Sequence, residues 1–319
     1  MIHLFALLSL LLCGVCYTGF QNSSHFHNTS NRRSLLLLVF GGALLLRLLL
    51  AYTTHGFSND IACFAAWADR IFTLGPGQFY SAEMFTDYPP GFMYVLYLIG
   101  ALRSLLQIPY YSDLHILLLK LPAILCDIAC GFLLYREAVK RLHFSDLQGI
   151  FAASAYLFQP AVILNSSCWG QVDSVYTLMI ILMCLFLMKG NLLPAYAVYG
   201  LGVLLKPQML IFTPVLLAGI WDHVFLQDFS WRKFFYNLCG GLVVICGMLL
   251  LCAPFGLTAA ISQYTSTLGS YEYAAINAYN FWGLLGMNWV DQNTIFPSLL
   301  QPAAGKSLQD ISVSVPLSS

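Results

Sequence analysis

The sequence predicts an all-α bundle of membrane-spanning helices. Hydrophobic residues fill 59% of the 319 positions, and the mean hydropathy is +0.75. Charged residues account for only 9%, and the formal net charge is zero. A soluble globule with this composition would expose too much apolar surface, so the chain is predicted to be an integral membrane protein. The balanced charge provides no basic patch, which argues against nucleic acid as a partner.

The apolar runs predict seven to eight spanning helices in a single membrane domain that covers residues 1–319. A run of about 20 residues covers about 30 Å, the thickness of the hydrocarbon core. We expect an extra N-terminal helix and polar linker over 1–33, with a cleaved signal peptide as the alternative for 1–20. A helical core over 34–290 and an incomplete polar tail over 291–319 are expected to follow. The predicted spans are 1–20, 34–54, 114–135, 147–164, 174–188, 193–205, 208–221 and 237–253.

Positive charges orient these helices. Arg32 and Arg33 place the start of the second run on the cytoplasmic side, and Arg136, Lys140 and Arg141 require the helix before them to run inward. Residues 91–107 are apolar enough to span, but a span there would reverse this order. We therefore predict that 91–107 forms an outer-face or re-entrant helix.

A break is predicted where the run 193–205 stops at Lys206 and Pro207. The run covers only about 20 Å. Proline and a cation are tolerated at membrane depth where the backbone lines a cavity enclosed by protein. The sequence therefore predicts a broken helix at this point.

Acidic residues are concentrated in residues 56–91, which contain Asp60, Asp69, Glu83 and Asp87 beside one cation, Arg70. Charge in an apolar protein is costly, so its placement is informative. The predicted orientation puts this loop outside the cytoplasm. Two further polar clusters, CWGQVDS and NAYNFWG, come out on the same face.

Five segments in this order resemble a known family. FSNDIACFAAWADR, DYPPGFMYVLY, CWGQVDS, LKPQ and NAYNFWGLLG are similar to segments of bacterial membrane proteins related to the second mannosyltransferase of glycosylphosphatidylinositol synthesis, of the C-type glycosyltransferase superfamily. The resemblance covers residues 45–289. It implies a multi-spanning transferase that takes a sugar, typically mannose, from a polyprenyl phosphate on the outer or lumenal face. An acidic residue after the first family helix would serve in catalysis, and by position this is Asp60.

The residues themselves fit glycosyl transfer. The reaction needs a base for the acceptor proton and groups that stabilise the departing phosphate. We predict that Asp60 is the base and that Asp87 orients the acceptor or shares a metal. The alternative interpretations are that Asp60 marks the water interface and that Asp87 belongs to a rigid Asp-Tyr-Pro-Pro turn. Asp69, Arg70 and Glu83 are expected to be solvated charges.

Cations at similar depth in three helices are candidates for holding the donor phosphate. Arg47 and Lys120 lie roughly 10 Å from the outer ends of their helices, and Lys206, followed by Gln208, lies at the break. The alternative interpretation for Arg47 and Lys120 is snorkelling to the interface. An unpaired acid at the middle of a span costs about 3 kcal/mol, so Asp127 is also a candidate structural partner for one of these cations.

Aromatic and amide side chains are predicted to bind the sugar. An indole offers a platform for the apolar face of a sugar, and amides and carboxylates bind its hydroxyls. For the tryptophans, the alternative is an interfacial aromatic belt. The predicted residues are Trp169, Gln171, Asp173, Asn277, Tyr279, Asn280 and Trp282. The histidines have no metal-binding spacing, and participation of a divalent cation is left open.

Two other functions compete with a transferase. A transporter or flippase of lipid-linked sugars would also use a broken helix and charges within the membrane, and an inactive truncated homologue would keep the motifs without the activity. The predicted partners of a transferase are a polyprenyl-phosphate sugar, the bilayer, and a glycan or glycolipid acceptor. The predicted location is the bacterial plasma membrane, with the endoplasmic reticulum as the alternative.

Overall fold

The computed structural model describes residues 30–80, 85–227, 229–269, 273–275 and 281–291. The described ranges consist mainly of α-helices and contain no β-strand, which confirms the predicted all-α class. The helices are α1 Ser30–Thr53, α2 Ser58–Leu74, α3 Pro90–Leu105, α4 Asp113–Lys140, α5 Asp146–Leu157, α6 Pro160–Ile163, α7 Asp173–Met188, α8 Leu192–Leu205, α9 Thr213–Trp221, α10 Trp231–Cys252, α11 Leu257–Gly269 and α12 Phe281–Leu284.

Four helical segments of the described chain are long and apolar enough to cross a membrane, or five if the bent pair α5–α6 is one span. The four are Arg32–Thr53, Asp113–Lys140, Pro207–Leu226 and Trp231–Phe255. The apolar helices α3, α7 and α8 have 16, 16 and 14 residues and are shorter than these. The predicted count of seven to eight spans stays a prediction.

The predicted span over 147–164 contains a break at Pro160, which the hydropathy pattern did not predict. Helix α5 ends at Leu157, α6 begins at Pro160, and the two segments are bent by 51°. Proline has no N–H and clashes with the preceding turn, so it begins a helix rather than continuing one. The side chain of Gln159 caps the new helix by accepting a hydrogen bond from the Ala161 N–H at 3.1 Å.

The predicted break after α8 is confirmed. Lys206 has extended backbone angles, φ −152° and ψ 128°, and Pro207 starts a 3₁₀ helix that ends at Phe212. Helix α3 begins directly beside this break. A Cβ atom on Gly91 would lie 2.6 Å from the Leu204 carbonyl oxygen, so only glycine permits the two backbones to come this close.

Helix α10 begins at Trp231, six residues before the predicted span 237–253, so Trp231, Arg232 and Lys233 do not lie in the predicted cytoplasmic loop. These residues form its first turn. Of the 18-residue apolar window in the segment Trp231–Phe255, only 6% is buried inside the protein. Nearly the whole length of α10 therefore faces outward from the bundle.

Positive side chains collect at one end of the bundle, which we call the basic end. Two contacts place the helix termini together there: Arg32 Nη1 lies 3.2 Å from Asp146 Oδ2, and Arg141 donates to the Met188 carbonyl at 3.4 Å. The basic end carries Arg32, Arg33, Arg136, Lys140, Arg141, Lys189, Arg232 and Lys233. This distribution follows the bias expected for a cytoplasmic face.

An aromatic core holds α2 and α3 together at the opposite end. The ring centroids of Phe64 and Phe92 are 5.6 Å apart, and Tyr88 packs against both. A Cβ atom on Gly100 would lie 2.5 Å from the Ala68 carbonyl oxygen. Most of the first half of the predicted acid-rich loop 56–91 is thus helix α2, and the close packing fixes α2 and α3 on either side of residues 75–89.

The chain divides into two compact units, residues 1–264 and 265–319. In the second unit the structure describes the short helix α12 and two isolated backbone bridges, Tyr273–Asp291 and Ala275–Asn288. The candidate site described next lies in the first unit.

Candidate functional site

Asp60 lies in the first turn of α2 with its side chain partly exposed. Its Oδ2 atom accepts hydrogen bonds from Trp169 Nε1 at 2.8 Å and from Gln171 Nε2 at 2.6 Å. Its Oδ1 atom has no hydrogen-bond partner within the described ranges. The helix N-terminus also favours a negative charge at this position. The carboxylate is thus held by one oxygen, and the other is available.

Two glycines bring the segment 165–173 against the start of α2. Gly56 and Gly170 have positive φ angles of 81° and 90°. A Cβ atom would lie 2.7 Å from the Trp169 carbonyl oxygen at the first position and 2.5 Å from Ile61 Cδ1 at the second. The same Trp169 carbonyl accepts the Phe57 N–H at 2.8 Å, and the two rings stack with centroids 4.8 Å apart.

Lys206 forms an ion pair with Asp173, whose other oxygen accepts from Asn165 Nδ2 at 2.9 Å. The Lys206 ammonium also lies 5.7 Å from the ring centre of Tyr88 and 5.6 Å from that of Tyr176. Only 11% of the Lys206 side chain is exposed. Because an ammonium carries three N–H donors, Lys206 has donors left after binding Asp173.

The Asp60 and Lys206 groups belong to one cluster. Gln171 binds Asp60, and Asp173, two residues further along the chain, binds Lys206. Two residues of extended chain cover at most about 7 Å, so the two contacts lie close together. Asp60 and Lys206 therefore share the segment 165–173 and the same end of the bundle. We call this cluster the Asp60–Lys206 site.

Asp87 lies near this site, on the loop that precedes α3, and its side chain is partly exposed. Burial raises the pKa of the Cys63 thiol, and the carboxylates of Asp87 and Asp60 raise it further. Both acids are therefore close enough to Cys63 to act on its charge. The two carboxylates predicted to take part in catalysis thus have the Cys63 thiol as a common neighbour.

Arg47 is bound within the protein and is fully buried. Its Nε atom donates to Asp127 Oδ2 at 3.1 Å, and Asp127 also accepts from Ser166, Ser174 and Tyr156. The alternative interpretation of Asp127, a structural partner for a cation, fits this geometry.

Lys120 is buried too, and it caps the end of α1. Its ammonium donates to the Ala51 carbonyl at 3.2 Å, to the Thr54 carbonyl at 2.7 Å and to the Thr54 hydroxyl at 3.1 Å. Three acceptors use all three donors of the ammonium. Because neither Arg47 nor Lys120 is accessible, we keep only Lys206 in the phosphate hypothesis.

The other predicted residues are dispersed. Gln208 is exposed in the 3₁₀ turn after the break. Trp282 belongs to the second unit. The residues Glu83, Asn277, Tyr279 and Asn280 lie outside the described ranges.

The sequence predicted that Asp69 and Arg70 would be solvated charges, but both are bound within the protein. Asp69 forms an ion pair with Arg103, and Arg70 donates to the carbonyls of Phe79 and Gln78 at 2.9 and 3.1 Å. Both side chains find partners because the end of α2 packs against α3 and against the turn at Gln78. These charges stabilise the scaffold of the loop.

Sequence reasoning missed Asn165, Tyr88 and Tyr176 as site residues. Asn165 resembles Gln171, because each amide nitrogen binds a carboxylate and each amide oxygen is buried with no partner in the described chain. An unpaired buried acceptor costs about 1–3 kcal/mol, and most buried polar groups in proteins have a partner. The position of Asn165 within the polar segment was the one available signal.

Within the described ranges, no group of three or more His, Cys, Asp or Glu side chains could hold a metal ion. Participation of a divalent cation stays a prediction. Fold and site together define the class, a helical membrane protein with a carboxylate, indole, amide and ammonium cluster at one end of its bundle. No protein-family model matches the chain, and a search of curated proteins finds no match either.

Proposed function

We propose that the chain is a membrane glycosyltransferase that moves a sugar, mannose by the family resemblance, from a polyprenyl phosphate to an acceptor hydroxyl. The observation that carries the proposal is the Asp60 carboxylate. It is anchored by Trp169 and Gln171 through Oδ2 and keeps Oδ1 available. A base in glycosyl transfer needs this combination of fixed orientation and a free oxygen.

The reaction assigns a task to each group. The acceptor hydroxyl attacks the anomeric carbon while Asp60 Oδ1 takes its proton, and the bond between that carbon and the phosphate oxygen breaks. The phosphate leaves with the bonding electron pair. Lys206 offers its remaining N–H donors to the negative charge that develops there. Asp173 and Asn165 keep the ammonium in place.

The exposed half of the Trp169 indole provides a surface for the sugar. Its side chain is 49% exposed, although the Phe57 ring covers one face. Aromatic faces bind the apolar faces of sugars. The Asp87 carboxylate then orients the acceptor.

The distribution of charge supports an outward-facing site. The basic end lies opposite the Asp60–Lys206 site, and positive side chains are retained in the cytoplasm. The proposed location is the bacterial plasma membrane, where the site would face the outside and take its donor from the outer leaflet.

A transfer assay with a carboxylate variant tests the proposal. Purified chain in lipid nanodiscs is given radiolabelled polyprenyl-phosphate mannose and a lipid-extract acceptor, and product is counted. We expect Asp60→Asn to lower the rate by about 10²- to 10⁴-fold, because loss of a general base has that effect.

Asp113→Asn is the matched control. Asp113 also lies in the first turn of a helix, and it pairs with His55 at the same end of the bundle. Its variant should keep the rate of the unmodified chain. A folded Asp60→Asn protein with full transfer would remove the assignment of the base.

The breaks at Pro160 and Lys206 favour a second candidate, a transporter of lipid-linked sugars, because broken helices line many transport sites. Vesicles containing the chain separate the two. A transporter makes labelled lipid accessible on the opposite leaflet without releasing or transferring sugar, whereas a transferase forms product.

A further inference from the structure

A basic cavity lies at the end of the bundle opposite the Asp60–Lys206 site. It has a volume of about 250 Å³ and is lined by His223, Arg232, Lys233 and Tyr236 together with the start of α8. Of the described residues, no acid lines it. Arg232 is exposed and has no hydrogen-bond or ion-pair partner within the described chain. This cavity therefore presents positive charge to a ligand.

An apolar groove adjoins the basic cavity between α8, α9 and α10. Its volume is about 400 Å³, and Leu216, Val244 and Met248 are among its lining residues. Asn237 lines both the groove and the basic cavity. A single molecule with a charged head and an apolar tail would therefore find both environments side by side.

The groove faces outward along α10. Gly241 lines the groove, and a Cβ atom built on it would meet no atom within 4 Å. The space beside this part of α10 is therefore open. Because little of α10 is buried in the protein, the groove is open along the helix to the surrounding bilayer. An acyl chain can enter from the side without crossing the polar ends.

This place is distinct from the Asp60–Lys206 site. Helix α8 begins at Leu192 in the lining of the basic cavity and ends at Leu205, next to Lys206. Its 14 residues separate the two places by about 20 Å along the helix. A ligand in the basic cavity cannot take part in chemistry at Asp60.

We infer that the basic cavity and the adjoining groove form a binding site for an anionic phospholipid, with the phosphate on Arg232 and Lys233 and an acyl chain along α10. Basic pockets between helices at a cytoplasmic face recognise anionic lipid headgroups. The guanidinium of Arg232 suits a phosphate because it donates two parallel hydrogen bonds. The inference does not depend on the proposed transferase activity.

Native mass spectrometry of the full chain tests the site. The protein is released from nanodiscs of equal parts phosphatidylglycerol and phosphatidylcholine, and retained lipids are counted. We expect phosphatidylglycerol to be retained in preference to phosphatidylcholine. The double variant Arg232→Gln, Lys233→Gln should lower that retention by about tenfold or more, since each basic residue near anionic lipid contributes about a factor of five.

Two controls make the result specific. Arg33→Gln, Lys140→Gln removes two charges from the same end outside the cavity and should leave retention unchanged. Gly241→Leu should also release the lipid by filling the groove, whereas Gly247→Leu, on the same helix with equal open space but outside the groove lining, should not.

Three results would overturn the inference. The first is equal retention of both lipids. The second is equal loss from the two charge variants. The third is a dimer mass that Gly241→Leu abolishes, because it would assign the groove to a second copy of the chain.

Discussion

The Asp127 cluster and the Asp60–Lys206 site are built from the same segment, yet one is closed and the other open. Ser166 and Ser174 bind Asp127 deep in the bundle, where Arg47 and Asp127 are fully buried. Between them in sequence, Trp169 and Gln171 bind Asp60 at a partly exposed position. The segment thus anchors the bundle on one side and presents polar groups on the other.

The difference lies in what remains unbound. Asp127 accepts from four side chains, so its carboxylate is saturated. Asp60 keeps one oxygen available, and Lys206 keeps N–H donors. Charge alone therefore does not identify a functional group in a membrane protein, because the charge of a buried cation such as Arg47 is neutralised by its counter-ion. Unused hydrogen-bonding capacity beside a partly exposed carboxylate distinguishes the candidate site.

Removing charge from the closed cluster should have the largest effect. Asp127→Asn leaves Arg47 buried without a counter-ion, and breaking a buried pair costs about 3–5 kcal/mol. Thermal unfolding of the purified chain should show this loss, whereas Asp60→Asn should change stability by less than about 1 kcal/mol because Asp60 is partly exposed. An Asp127→Asn protein as stable as the unmodified chain would show that the ion pair is unimportant.

Neutralising the cation of the open site should have the next largest effect. Lys206→Met should weaken use of the lipid-phosphate donor by about tenfold or more, because a hydrogen bond to a charged group contributes about 1.5–3 kcal/mol. Transfer rates measured against donor concentration give the KM.

The double variant Lys206→Met, Asp173→Asn separates this role from a structural one. Removing both charges leaves no unpaired carboxylate, so stability should recover while donor use stays poor. Recovery of donor use in the double variant would assign Lys206 a structural role only.

Loss of one hydrogen bond to Asp60 should have a smaller effect. Trp169→Phe keeps an aromatic ring but removes the Nε1–H donor. Because Gln171 still binds the same carboxylate oxygen and Asp60 is partly exposed, we expect a loss of about 0.5–1.5 kcal/mol, below the range for a buried bond to a charged group. We expect kcat/KM for transfer to fall by about threefold to tenfold. Trp221→Phe, an exposed tryptophan at the far end of the bundle, is the control and should have no effect. Equal values for both variants would contradict the positioning role of Trp169.

The smallest effect concerns the Cys63 thiol. Because neighbouring carboxylates raise its pKa, Asp60→Asn or Asp87→Asn should lower that pKa and increase the thiolate fraction at a given pH below it. Peptide-level labelling with a maleimide at pH 8 should then become faster, and the rate should rise with pH in every variant. Asp69→Asn serves as the control. An unchanged rate in Asp87→Asn would place Asp87 away from the site.

Much of the helical framework follows from the sequence because apolar length determines it. The run 34–54 corresponds to α1, 174–188 to α7, and the break at Lys206 is where Pro207 predicts it. The bend at Pro160 was missed because the apolar run continues across it. A hydropathy pattern records composition along the chain, whereas the direction of a helix after a proline depends on local capping by Gln159.

The candidate site was predicted in part. Asp60, Trp169, Gln171, Asp173 and Lys206 do lie in one cluster, since topology alone brings the polar segments to one end. The roles of Arg47 and Lys120 could not be read from depth. Depth along a helix does not tell which way a side chain points, and the acceptors of Lys120 are backbone carbonyls that no sequence motif marks.

The contact at Gly91 has a mechanical consequence. The backbone of this residue touches the backbone at Leu204, and no flexible side chain lies between them to absorb sliding. A side chain at residue 91 would therefore push apart the start of α3, which follows Asp87, and the end of α8, which precedes Lys206. Under the proposed function, the spacing between the Asp87 and Lys206 charges would then depend on the absence of a side chain at residue 91.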